Sequence, residues 1–177
     1  MKLSVVIPFY NEENMIQKMY DELVKEINQI TKAEFEIIFI NDGSKDRTFE
    51  RMLAIAAGDS RVKYISFSRN FGKEAGTIAG LEYATGEAVI LMDGDLQHPP
   101  AMLPQMIEAY EQGYDVVSAR RTRTGEKRHR TFLAKHFYKL ANKMMDIELM
   151  DGVSEFRLFS RKVVNAIISM QEYNRFS

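Results

Sequence analysis

The chain has 177 residues, a net charge of −1 and no cysteine, so disulfide bonds, thiolate catalysis and cysteine-ligated zinc are excluded. Apolar residues make up 45% and charged residues 28% of the chain, which is ordinary for a globular protein and predicts a single domain over residues 1–177. No apolar run approaches the ~20 residues that cross a bilayer, and the first predicted strand follows no leader, so we expect a cytoplasmic location.

Strands and helices alternate along the chain. Short apolar runs predict five strands, at Leu3–Ile7, Phe35–Ile40, Val62–Phe67, Ala88–Met92 and Asp115–Ala119. Apolar residues at helical spacing predict helices after Asn11, with an apolar face from Ile16 to Ile30, from near Asp46 to Gly58, over Glu74–Ala84 and over Pro100–Gln112. This order predicts an α/β fold in which a mostly parallel, Rossmann-like central sheet is flanked by helices.

Three local features refine these boundaries. Pro8 is expected to end regular pairing of the first strand, because proline has no N–H to donate. Asn11 is expected to cap the first helix, with acidic residues in the first turn. Gly76 and Gly80 lie four positions apart on the third helix, which indicates close packing of that helix against the sheet.

Polar residues follow four of the strands. The carboxyl ends of parallel strands share one edge of a sheet, and open α/β folds bind their ligands at that edge. We therefore expect a single site to be built from the following segments: Pro8–Asn11, Asn41–Ser44, Ser68–Lys73 and Asp93–Asp95.

Asp93 and Asp95 form the strongest candidate for a metal site. They follow an unbroken apolar strand, and we expect Gly94 to let the backbone turn so that both carboxylates converge. Such oxygen ligands suit Mg²⁺ or Mn²⁺, which keeps free positions for the phosphates of a substrate. An Asp-Gly hairpin turn is the alternative, but Leu96–Pro100 is not a second alternating strand, and Pro100 is typical of the first residue of a helix.

Other residues on this edge have both a structural and a functional interpretation. Asp42 belongs to a common turn sequence, yet beside the two aspartates it is better placed to hold a ribose or a base. Arg69 and Lys73 are either surface charges or part of a nucleotide pocket. The glycine motifs of P-loop and dinucleotide-binding folds are missing from the sequence.

Residues 120–130 form a local basic segment. They include six basic residues and one acidic residue, a net +5, so the remainder carries −6 of the total of −1. The segment has no aromatic residue on which bases could stack, which disfavours nucleic-acid binding. Guanidinium groups suit phosphate, and the fifth strand is expected to adjoin the acidic edge, so phosphate binding by Arg120 and a later arginine is favoured over a solvated loop.

The pattern changes after Arg130. The sequence predicts an amphipathic helix over residues 132–144, a short strand over Phe156–Phe159 and a last helix over Arg161–Met170. Asp151 and Glu155 precede that strand. They are either turn residues or the general base of a transfer reaction.

A set of motifs runs through the chain in a fixed order: V-V-I-P-F-Y-N-E-E at Val5–Glu13, I-N-D-G-S-K-D at Ile40–Asp46, S-R-N-F-G-K at Ser68–Lys73, M-D-G-D-L-Q-H-P-P at Met92–Pro100, S-A-R at Ser118–Arg120 and D-x-x-x-E-F-R-L at Asp151–Leu158. The set resembles the family 2 glycosyltransferases with a GT-A fold. It is most similar to the polyprenyl-phosphate glycosyltransferases, the group of bactoprenol glucosyltransferases and dolichyl-phosphate mannose synthases.

The resemblance implies roles for individual residues. The nucleotide site is expected to comprise the matches at Pro8, Tyr10, Asn11, Glu12, Asp42, Asn70 and Lys73. The divalent metal and the diphosphate are expected at Asp93, Asp95 and Gln97, and the acceptor phosphate at Arg128 and Arg130. The expected catalytic residues are Asp95, Arg120, Asp151 and Glu155, although the family more often has Gly or Asp at the position of Glu155.

The implied reaction is the transfer of a hexose, with inversion, from a UDP- or GDP-sugar to a polyprenyl phosphate at the cytoplasmic face of the cell membrane, with Mg²⁺ or Mn²⁺ as Lewis acid. The family usually continues into amphipathic and transmembrane helices, so we expect the sequence to stop short of a membrane-associated part. Self-association is left open.

Two alternative functions remain at this point, namely transfer to a sugar hydroxyl of a cell-surface polysaccharide and non-catalytic binding of a nucleotide-sugar. A haloacid-dehalogenase-type hydrolase is disfavoured, because the Asp-x-Asp-Gly-Thr continuation of that class is missing.

Overall fold

The computed structural model describes residues 1–120 and 153–170. Their elements are, in chain order, β1 (Lys2–Phe9), α1 (Ile16–Ile27), β2 (Glu34–Asn41), α2 (Thr48–Gly58), β3 (Val62–Ser66), α3 (Lys73–Tyr83), β4 (Ala88–Leu91), a 3₁₀ turn (Pro100–Met102), α4 (Leu103–Glu111), β5 (Val116–Arg120), β6 (Val153–Ser160) and α5 (Arg161–Ser169). The predicted alternation of strands and helices is confirmed, with boundaries shifted by a few residues.

The strands form one six-stranded sheet in the order β3-β2-β1-β4-β6-β5. The four strands from β3 to β4 are parallel, whereas β6 runs antiparallel to both β4 and β5. The mixed α/β fold with a mostly parallel sheet is therefore confirmed. Because β6 is antiparallel to both β4 and β5, the carboxyl end of β5 lies on the same edge of the sheet as that of β4, as expected, but β6 pairs between the two strands.

Helices cover both faces of the sheet, which explains why the central strands are apolar at most positions. One core contains buried residues of α1, α2 and α4, and the other contains those of α3 and α5. A Cβ built at Gly80 would lie 2.2 Å from Cγ1 of Val6, which confirms the expected close packing of α3. The helices thus hold the strand ends of the acidic edge in fixed positions.

Pro8 does not end β1, contrary to the prediction. It stays in register with Ile40 of β2, and Phe9 pairs with Asn41. The backbone of Phe9 bonds towards β2, since its carbonyl accepts from the N–H of Asp42. The backbone N–H and C=O groups of successive residues in a strand point to opposite neighbouring strands. The side of Pro8 that lacks an N–H therefore faces β4. The pairing of β1 with β4 ends before that point, at Val6. The proline therefore removes no hydrogen bond of the β1–β2 ladder.

The opposite, amino-terminal edge of the sheet contains a buried carboxylate. Glu36 on β2 is 3% exposed, and its Oε2 lies 2.7 Å from Nζ of Lys63. Its Oε1 accepts from the hydroxyl of Ser4 and from both the N–H and the hydroxyl of Thr85. Burial raises the pKa of Glu36, but the bonds from Lys63, Ser4 and Thr85 outweigh it and hold this pKa at about 2. The carboxylate thereby ties β1 and β2 to the turn before β4.

Replacing Glu36 with glutamine is expected to lower the free energy of unfolding at pH 7 by about 2–3 kcal/mol, because the buried hydrogen bonds lose their anionic acceptor. The ordinary pKa of this carboxyl is 4.5 and the folded value is about 2, so its stabilisation is complete above pH 4.5 and is lost as the pH falls towards 2. Urea unfolding of both proteins from pH 2 to pH 7 measures this difference. Glu34→Gln, an exposed substitution on the same strand, is the control, and equal unfolding of the two variants at pH 7 contradicts the assignment.

Candidate active site

A cavity of about 300 Å³ lies at the carboxyl edge of the sheet, beside the ends of β1, β2 and β4. Most of the predicted donor-site residues line it, which supports the expectation of a single site. The predicted residues in the lining are Pro8, Tyr10, Glu12, Asp42, Asn70, Lys73, Asp93 and Asp95. The sequence did not single out Phe9, which also lines the cavity, although its place between Pro8 and Tyr10 was a usable signal.

Position 94, between the two aspartates, has no room for a side chain. A Cβ at this position would lie 2.3 Å from Cε1 and 2.6 Å from Cδ1 of the buried Phe9 ring. The φ angle of Gly94 is not positive, so the glycine is needed here for space, while both aspartates do line one cavity as expected. The left-handed conformation falls instead on Leu96, with φ 58°. The Phe9 ring thus sets the path of the loop that carries both carboxylates.

Asp95 is fixed by its own loop. Its Oδ1 accepts a hydrogen bond of 3.0 Å from the N–H of Gln97, across the positive-φ residue Leu96. The side chain of Leu96 packs against the core and anchors the turn. Gln97 is exposed and does not line the cavity in this structure, so its role as a metal ligand stays a prediction.

Asp42 holds one wall of the cavity. Its side chain is 3% exposed, and its two carboxylate oxygens accept from the N–H groups of Phe71, at 2.7 Å, and Gly72, at 3.0 Å. Gly72 has φ 93°, a conformation that suits glycine. Asp42 therefore positions the loop that carries Asn70 and Lys73, and its contact with a nucleoside stays a prediction.

Asn11 does not cap α1, contrary to the prediction, because the helix begins only at Ile16 and no side chain caps it. Asn11 instead has φ 54°, and its side-chain oxygen accepts from the N–H of Lys45 at 2.8 Å. Its own N–H donates to the hydroxyl of Ser44. The loop after β1 is thus tied to the loop after β2, and this places Tyr10 at the rim of the cavity. Asn11 itself is not among the lining residues.

A second, open cavity of about 570 Å³ adjoins the first and shares Tyr10 and Asn70 with it. Lys45 and Arg69 contribute positive charge to its lining. The guanidinium of Arg69 lies 4.5 Å above the ring of Phe71. The two neighbouring cavities are together called the groove, with four carboxylates and Lys73 in the lining of the first and Lys45 and Arg69 in the lining of the second.

The acidic end already holds a positive charge. Nζ of Lys73, the first residue of α3, lies 2.5 Å from Oδ1 of Asp93. Within residues 1–120 and 153–170, no group of three or more His, Cys, Asp or Glu side chains could hold a metal ion. A cation at the two aspartates would therefore need oxygen atoms of a substrate to complete its coordination, as is usual for Mg²⁺. The carboxylate oxygens of Asp93 and Asp95 fit a divalent cation, and the ammonium of Lys73 already lies at one of them.

The remaining predicted site residues lie at the ends of the described segments 1–120 and 153–170 or outside them. Arg120 ends β5 and is in register with Val153, and Glu155 lies in β6. Asp151, Arg128, Arg130 and the predicted helix over residues 132–144 lie outside the described residues, and their roles stay predictions. None of the described helices is both long and apolar enough to span a membrane.

Comparison with known proteins identifies relatives over nearly the whole chain. The model of "Glycosyl transferase family 2" matches residues 4–168. The protein CsbB of Bacillus subtilis (strain 168) is 50% identical over 175 residues, which are 99% of this chain and 53% of CsbB. The prophage bactoprenol glucosyl transferase homolog of Escherichia coli (strain K12) is 45% identical over 177 residues, or 99% of this chain and 58% of that protein. The chain thus spans little more than half the length of these relatives.

The fold also matches solved structures. The structure of the mannosyltransferase PcManGT from Pyrobaculum calidifontis, in complex with GDP-Man and Mn²⁺, gives a TM-score of 0.65 over 93% of this chain and 46% of that chain, at 21% identity. At this identity the likeness concerns the fold alone. The family match over most of the sequence and the architecture of the sheet lead to the same conclusion: the chain belongs to glycosyl transferase family 2 and has the GT-A fold.

Proposed function

We propose that this chain is the catalytic unit of an enzyme that transfers a hexose, with inversion, from a UDP- or GDP-sugar to a polyprenyl phosphate. The observation that carries the proposal is the cavity at the carboxyl edge, where Asp93 and Asp95 face the loop that Asp42 holds. A nucleoside diphosphate needs a cationic or metal-binding place for its phosphates and a separate place for its base, and the groove has both kinds of lining.

The donor is placed along this groove by the residues that line it. The nucleoside would lie against Tyr10 and Asp42, and the diphosphate would lie between Lys73 and the two aspartates. A solved relative in fold was crystallised with GDP-Man and Mn²⁺, which supports a nucleotide-sugar and a divalent cation in general.

Three parts of the chain would each have a different role in the reaction. When bound at Asp93, Asp95 and Gln97, a divalent cation would act as a Lewis acid on the departing diphosphate. The hydrogen bond across the turn at Leu96 holds Asp95 in position before the reaction, which would reduce the reorganisation needed as charge develops. Arg120, at the end of β5, would share the negative charge of the leaving group.

The acceptor is proposed to be a polyprenyl phosphate because a relative that is 45% identical is named for bactoprenol. A phosphate monoester is already largely ionised near neutral pH, since its second pKa is about 6. Such an acceptor needs orientation more than deprotonation, so Asp151 and Glu155 would orient it, and Arg128 and Arg130 would bind its phosphate. The reaction would take place at the cytoplasmic face of the cell membrane.

The proposal is tested by offering labelled donors to the chain together with Mn²⁺ and undecaprenyl phosphate in detergent micelles. Label from one of UDP-glucose, UDP-N-acetylglucosamine or GDP-mannose is expected in the lipid fraction, and undecaprenol without phosphate is the negative control. Transfer to an added sugar hydroxyl in place of the lipid would overturn the acceptor assignment. Donor binding without any transfer would indicate a non-catalytic binding subunit.

A further inference from the structure

The ion pair between Lys73 and Asp93 spans the donor cavity. Lys73 lies at the start of α3, after the loop that follows β3, whereas Asp93 comes directly after β4. The two side chains, 45% and 28% exposed, bring Nζ within 2.5 Å of Oδ1. Because the lysine side chain is about half exposed, its ammonium group can change partners without repacking of the core.

The charges of the cavity lining are unbalanced. The described lining residues include four carboxylates, at Glu12, Asp42, Asp93 and Asp95, and one basic group, Lys73, so the lining has a formal net charge of −3. A diphosphate group adds further negative charge to the same space. The ammonium of Lys73 therefore lies where positive charge is most needed, at one of the oxygens that would also hold a divalent cation.

We propose that Lys73 holds the cation position at Asp93 while the donor is absent, and that the divalent cation must displace it. This inference rests on the proposed function for the nature of the donor. Two positive charges at one carboxylate oxygen repel each other. The ammonium of Lys73 therefore weakens the binding of the divalent cation when no donor is present. Once displaced, the ammonium has the diphosphate of the donor as its new partner. Cation and donor thereby strengthen each other's binding, and the site takes up little free cation by itself.

A simpler role for Lys73 makes a different prediction. If the lysine only contacts the phosphates of the donor, its removal weakens nucleotide binding and leaves the affinity for Mn²⁺ in the absence of nucleotide unchanged. If Lys73 instead occupies the cation position at Asp93, its removal raises the affinity for Mn²⁺ in the absence of nucleotide. The sign of the change in Mn²⁺ affinity separates the two roles, and it does not depend on catalytic turnover.

The test measures Mn²⁺ binding to Lys73→Met without nucleotide, from the amplitude of the free-ion signal in electron paramagnetic resonance. We expect the variant to bind Mn²⁺ about two- to fivefold more tightly than the parent chain does, because the cation no longer has to break one partly exposed ion pair. We also expect the enhancement of Mn²⁺ binding by UDP or GDP to be smaller in the variant. Lys73→Arg retains the charge and should bind Mn²⁺ as the parent does.

The control is Lys25→Met, which removes an equal charge from the exposed surface of α1, where Lys25 pairs with Glu22. Equal or weaker Mn²⁺ binding by Lys73→Met, or an equal gain in Lys25→Met, overturns the inference. If Lys73→Met binds Mn²⁺ more tightly but neither protein binds a nucleotide, the exchange of cations at Asp93 stands and the proposed function fails. If the parent transfers sugar and Lys73→Met shows no gain in Mn²⁺ affinity, the inference fails alone.

Discussion

Asparagine in place of Asp95 is expected to lower the kcat/KM of sugar transfer by about 10³-fold, because the site loses an anionic ligand for the cation that neutralises the leaving diphosphate. The fold should survive, since the side-chain oxygen of asparagine can still accept from the N–H of Gln97 and keep the turn at Leu96. Transfer kinetics over a range of Mn²⁺ concentrations, together with thermal unfolding, measure both effects.

The matched control for this substitution is Asp21→Asn on the exposed side of α1. Asp21 accepts a hydrogen bond from the side chain of Gln17 and is not among the residues that line the cavity. The Asp21→Asn variant should transfer sugar at the same rate as the parent chain. An Asp95→Asn variant that retains most of its activity at every Mn²⁺ concentration would show that this carboxylate has no part in the reaction.

Alanine at Gly94 is expected to reduce kcat/KM by about 100-fold, because a displacement of the aspartate loop by as little as 1 Å is sufficient for such a loss. The new Cβ would lie 2.3 Å from the Phe9 ring, which is itself buried and in edge contact with Phe39 at 5.3 Å between ring centroids. The ring cannot move away freely, so we expect the loop to shift. Overpacking should also lower the free energy of unfolding by about 1–3 kcal/mol.

A second substitution tests this explanation by making room for the methyl group. Phe9→Val removes every ring atom that the new Cβ would meet, and we expect the Phe9→Val/Gly94→Ala double variant to be more active than Gly94→Ala alone. Gly58→Ala is the neutral control, because a Cβ built at that glycine has no neighbour within 4 Å. If the double variant is no more active than Gly94→Ala, the contact with the Phe9 ring does not explain the need for glycine.

Much of the fold and of the donor cavity could be predicted, because the relevant signals are local. Unbroken apolar runs mark strands that are covered on both faces, and the polar residues directly after them have to lie at one edge when the strands are parallel. This reasoning placed Asp42, Asp93 and Asp95 in one cavity, where the structure has them.

What sequence reasoning missed depends on contacts between distant segments. The insertion of β6 beside β4 pairs Ala88 with Ser160 and Leu91 with Arg157, residues that are far apart in the sequence, and no local pattern encodes this pairing. The network around Glu36 joins β1, β2 and the turn before β4. The need for glycine at position 94 arises from a ring on another strand. The residues after Asn11 are typical of the first turn of a helix, which is why Asn11 was predicted to be a helix cap. Its side-chain oxygen instead accepts a hydrogen bond from the backbone N–H of Lys45.

The central claim is that the carboxylates after β4 hold a divalent cation against the diphosphate of a nucleotide-sugar. Anomalous diffraction at the manganese edge, from crystals of this chain grown with Mn²⁺ and UDP or GDP, tests it most directly. The account predicts one strong peak within coordination distance of the Asp95 carboxylate and of the diphosphate oxygens, about 2.1–2.2 Å away. A nucleotide bound in the cavity with no manganese beside Asp95, or with manganese bound elsewhere, would contradict it.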